Sequence, residues 1–171
     1  GIHHHYSGDK FMPEFSREYF DGLVKATPKD KFPDDFGAVA ELSATIKMVV
    51  FDPAVYPLRV NQAAGVDMLQ TSGMNYYEWV KEEEAKEFYG KMAEQYDDKE
   101  HHISFGLNSK LVKQGGELVE KVWKIGGMYS NALEKVVYWL EKASEVANPT
   151  QKETLEKLIS YYHTGDLKEF D

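Results

Sequence analysis

The stretch from residue 133 to residue 165 restricts the fold more than any other part of the chain. Leu133, Val136, Val137, Leu140, Ala143 and Ala147 recur at the spacing of one helical face. Asn148 then supplies a cap, Pro149 takes the favoured first helical position, and Gln151 completes a capping box. Leu155, Leu158, Ile159 and Tyr162 form a second apolar stripe, which Gly165 stops and Asp166 recaps for one more turn. Two stripes separated by so short a break bury each other only if the chain folds back on itself. An antiparallel helix pair is therefore expected at the C-terminal end.

Ahead of that pair the period changes from 3.6 to 2. Ile103, Phe105 and Leu107 alternate with Ser104, Gly106 and Asn108, and Leu111-Val112 extends the run. After Gly115-Gly116 a second alternating run reaches Ile125, so a β-hairpin is expected over about 102–125, with Gly126-Gly127 closing it. Earlier segments read as helices. Ser16 caps one through about Ala26, with Phe15 and Phe20 at the spacing of a hydrophobic staple, and Thr27-Pro28 ends it. Val39, Leu42, Ile46, Val49 and Val50 predict a second helix to about Phe51. Ala85, Phe88, Tyr89, Met92 and Tyr96 predict a third, from about Glu82 to Gln95. Residues 58–77 read as loop with short strands around Val60, Val66, Met68 and Leu69. Helices, then a hairpin, then helices amount to an α+β fold, expected as a single domain over residues 1–171.

The chain has 171 residues and no cysteine, which excludes disulfides and thiolate metal ligands. Its net charge of −9 disfavours nucleic acid as a partner. No apolar run approaches the roughly 20 residues of a membrane-spanning helix, and no signal peptide is visible; a cytoplasmic setting is the expectation. The chain opens on Gly1 without an initiator methionine and ends in a helical pattern, which reads as a piece of something longer.

Candidate chemistry is sparse. His3-His4-His5, His101-His102 and His163 lack the His-Glu-x-x-His spacing that sets two ligands and a base on one helical face. His3 to His5 are either native or the remnant of a purification tag. Glu82-Glu83-Glu84 reads as a solvated helix start and Asp97-Asp98 as a solvated helix exit. Asp67 stands among apolar residues without a partner at any regular spacing. Trp123 and Trp139 read as packing residues. No Gly-x-Ser-x-Gly elbow or Walker-type loop occurs. No catalytic residue and no metal ligand is assigned from residue chemistry.

An ordered set of short matches adds a family. Ser7-Gly8-Asp9-Lys10-Phe11-Met12-Pro13 resembles the Gly-Asp-x-Lys-Phe-x-Pro run of dipeptidyl peptidase III enzymes. Gly65-Val66 with Thr71-Ser72-Gly73, then a helix with Ala85-Lys86, is similar to a Gly-Ile-Thr-Thr-Tyr-Phe-Ser-Gly segment and its helix in that family. The Ile103 to Leu107 run, Lys135-Val136-Val137 with Leu140-Glu141-Lys142-Ala143, and Tyr161 to Leu167 continue the similarity in order, closest to Bacteroidetes-like members. The resemblance implies a zinc metallopeptidase, an aminopeptidase-like hydrolase that releases dipeptides from peptide N-termini. It implies that this chain is part of the lower, non-zinc lobe, inactive alone, forming one wall of the substrate cleft.

The zinc motifs of the family, His-Glu-x-x-Gly-His and Glu-Glu-x-x-Ala-Asp/Glu, do not occur in this sequence. The resemblance therefore implies no cofactor in this chain, zinc in the parent enzyme, and the catalytic lobe and peptide substrate as partners. It aligns Tyr6 with an aromatic near the cleft, either stacking on a substrate side chain or standing as an exposed tail aromatic. A piece of this kind is expected to carry an exposed apolar patch, larger than the few hundred Å² usual for a monomer, open to the missing lobe or a second copy. The alternative is a stand-alone, non-catalytic peptide-binding or interaction module.

Overall fold

The computed structural model describes residues 3–33, 37–96 and 103–170, and its fold is α+β. The chain falls into two compact units, Gly1–Met74 and Asn75–Asp171.

In the first unit, α1 (Arg17–Ala26) begins where the Ser16 hydroxyl accepts from the Tyr19 amide, and ends at extended Thr27. A single 3-10 turn, Lys29–Lys31, follows. The second helix, α2 (Val39–Phe51), has the bounds its apolar spacing predicts, and Lys47 ties it to Asp21 of α1 at 2.8 Å. The staple works differently from its sequence reading. Phe15 sets its ring against Tyr19 and Phe51, and Phe20 meets the same Phe51.

Val60, Val66, Met68 and Leu69 lie in no strand. Met68 and Leu69 belong instead to one helical turn, α3 (Met68–Thr71), because the Asp67 carboxylate accepts from the Leu69 and Gln70 amides and fixes a helix start. Asp67 thus has the partners that linear spacing did not reveal. Among the described residues of this unit the buried ones are Ser43 and Ser72, both polar.

The second unit holds a three-stranded mixed sheet in the order β1 (Tyr77–Glu78), β2 (Ser109–Gln114), β3 (Glu117–Val122). Strand β2 runs antiparallel to β3, with Gln114 opposite Glu117, and parallel to β1. The hairpin turn is Gly115-Gly116, both at positive φ (62° and 92°), as a two-residue turn matched to strand twist requires. The hairpin is shorter than its expected bounds. Ile103, Phe105 and Leu107 are not in a strand; the chain turns over 105–108, with Gly106 at φ 81° directly under the Tyr89 ring. A Cβ on Gly106 would lie 2.7 Å from that ring. Residue 102 and the His101-His102 pair lie outside the described residues, as do Asp97 and Asp98.

Helix α4 (Glu82–Gln95) has the bounds expected for it and places Ala85 in the core. Helices α5 (Ser130–Val146) and α6 (Pro149–Thr164) join through two residues and pack together, and α7 (Leu167–Phe170) follows Gly165, a left-handed stop at φ 74°. Asn148 accepts from the Gln151 amide, and Asp166 from that of Lys168. The apolar core of the unit is Val80, Ala85, Leu111, Val112 and Val137. Trp123 packs between Tyr76 and Tyr129, as a core aromatic should. Trp139 does not: it is 68% exposed, because two residues beyond buried Val137 is about 200° around the helix. Val136, also assigned to the apolar stripe, faces solvent as well.

Candidate functional site

Two segments of the first unit singled out in the sequence, Gly8 to Lys10 and Ser72-Gly73, meet at Leu58. Gly8, at φ 74°, receives the Arg59 amide on its carbonyl at 2.7 Å, and Asp9 forms an antiparallel bridge with Leu58. On its other side Leu58 bridges Ser72 in parallel, and its carbonyl accepts from the Gly73 amide at 2.9 Å. The buried Ser72 hydroxyl accepts from the Asn61 amide at 2.8 Å. The Lys10 ammonium donates to the Asp52 and Val55 carbonyls, at 2.6 and 2.7 Å, where α2 ends. Every one of these contacts uses backbone groups, so the segment stitches chain to chain.

Histidine geometry points the same way. His3 sets Nε2 3.0 Å from the Tyr56 carbonyl, over Gly73, where an added Cβ would come within 2.7 Å of the imidazole. His4 accepts the Tyr6 and Ser7 amides on Nδ1, which requires that nitrogen to be unprotonated. His5 stacks on His4, and the Tyr6 ring tilts against it. His163 stands in the last turn of α6, in the second unit. Among the described residues no three histidines, aspartates or glutamates gather to hold a metal ion, so these residues do not fit a zinc site. Tyr6 is 86% exposed, with its ring against His4 and His5.

In the second unit a polar node lies under the sheet. Ser109, fully buried, donates to Glu120 Oε1 at 2.6 Å and lies 3.5 Å from the Tyr89 hydroxyl. Burial, with the neighbouring Glu120 charge adding to it, pushes the Tyr89 phenol up to about 12. The alternation of strand residues gave no sign of this node, since Ser109 reads as an ordinary polar strand position. Glu84, read as part of a solvated helix start, accepts the Lys81 amide at 3.0 Å and pairs with Lys113 of β2, whose hydrogen bond holds the carboxyl below its usual range. This contact ties α4 to the sheet.

Large apolar side chains remain uncovered in both units. Phe15, just ahead of α1, and Tyr19 and Leu23 on it are each about half exposed. On α5, Tyr138 and Trp139 edge a shallow depression with Asn131, Glu134 and Lys135. No helix among the described residues is long and apolar enough to cross a membrane. No protein-family model matches the chain, and a search of curated proteins finds no match.

Proposed function

We propose that this chain is part of the lower lobe of a dipeptidyl peptidase III-type zinc metallopeptidase, forming one wall of the cleft in which dipeptides are removed from peptide N-termini. The zinc and its ligands belong to the other lobe of the parent enzyme, and this chain alone is inactive. The observation that carries the reading is the junction at Leu58. Two segments that resemble the family, Gly8 to Lys10 and Ser72-Gly73, lie far apart in sequence yet pair on either side of that residue. Scattered chance matches have no reason to interlock.

The half-exposed side chains of Phe15, Tyr19 and Leu23 support the same reading, since a unit whose buried described residues are the serines Ser43 and Ser72 gains from an apolar partner surface. That partner is the remainder of the parent, or a second copy over the same surface. Tyr6, 86% exposed, is either an aromatic that stacks on a substrate side chain in that cleft or an exposed aromatic of the N-terminal segment.

The test has two arms. The chain alone, given zinc and a fluorogenic dipeptidyl substrate, releases no dipeptide, and the coding sequence around it contains both zinc motifs. Zinc-stimulated release by the 171 residues alone overturns the division of labour. A coding sequence without either motif overturns the family reading and leaves a stand-alone binding module.

A further inference from the structure

We draw no further inference here: the strongest candidate, the exposed Tyr138–Trp139 face of α5 with the shallow depression beside Asn131, Glu134 and Lys135, carries nothing because nothing in the structure shows what covers it.

Discussion

Trp79 is the sharpest place to test the backbone. It follows β1 at φ 60°, in the left-handed region, and its indole is 76% exposed, while the next residue, Val80, is in the core. A side chain with a Cβ costs about 1–2 kcal/mol in that conformation. Removing the indole loses a quarter of a surface of about 250 Å², or about 1.5 kcal/mol at ~25 cal/mol per Å². Trp79→Ala and Trp79→Gly lose that contribution equally, so their difference isolates the backbone. Glycine sheds the left-handed cost but adds about 0.4–1 kcal/mol of unfolded-state entropy. The glycine variant should therefore be the more stable of the two by about 0.5–1 kcal/mol. At an ordinary φ the order reverses, with alanine ahead by about the same amount. Urea unfolding followed by far-ultraviolet circular dichroism reads the sign without relying on the deleted fluorophore. At a slope of about 2 kcal/mol per molar, the midpoints should differ by roughly 0.25–0.5 M. An alanine midpoint equal to or above that of glycine refutes the left-handed backbone at Trp79.

Two other glycines should separate in the same assay. Gly90 lies inside α4 with open space around its missing Cβ, so Gly90→Ala should stabilise by about 0.8–1 kcal/mol, whereas Gly106→Ala, left-handed and jammed against Tyr89, should destabilise by more than about 1 kcal/mol. The Tyr89 phenol has a folded pKa of about 12, above its ordinary 10.0, so its contribution is fully present below pH 10 and lost as pH rises towards 12. Stability measured across that window should fall less steeply for Tyr89→Phe than for the parent chain, and equal slopes would contradict the burial of the hydroxyl. Glu84 is the opposite case. Its depressed pKa gives stability that is present above the ordinary carboxyl value of 4.5 and lost as pH falls through the folded value. Lys113→Met should raise the Glu84 titration midpoint in a carboxyl-detected NMR titration, and an unchanged midpoint would remove the pair as its cause.

Much of the helical framework was legible because its signals are local. Ser16, Asn148 and Gly165 each act within one turn, and the structure uses all three as their chemistry dictates. The Gly115-Gly116 turn was legible for the same reason, since both residues need positive φ and no neighbour is consulted. The limits of the hairpin were not. Ile103, Phe105 and Leu107 alternate like a strand, but Gly106 must pass under the Tyr89 ring, a contact with a helix that lies earlier in the chain. Alternation reports a half-buried surface; it does not report which backbone groups find a ladder partner. Two-residue β1 carried no periodic signal of its own and depends on the Leu111 amide reaching the Tyr76 carbonyl.

The same distinction explains what the candidate site withheld. Histidines, glutamates and an isolated aspartate draw attention as chemistry, yet a side chain's role depends on what its lone pairs meet. Asp67 meets two amides at the start of a helical turn, His4 meets two amides of its own loop, and Glu84 meets a lysine across to the sheet. Each of these groups therefore has a local structural task, although a carboxylate keeps further lone pairs and the imidazole its second nitrogen. The run Gly8 to Lys10 is the converse. It drew attention as a family signature and is spent on bridges, a left-handed turn and an ammonium held by two carbonyls. Those contacts hold the chain ahead of α1 in place, while the Tyr6, Tyr19 and Leu23 side chains stay exposed.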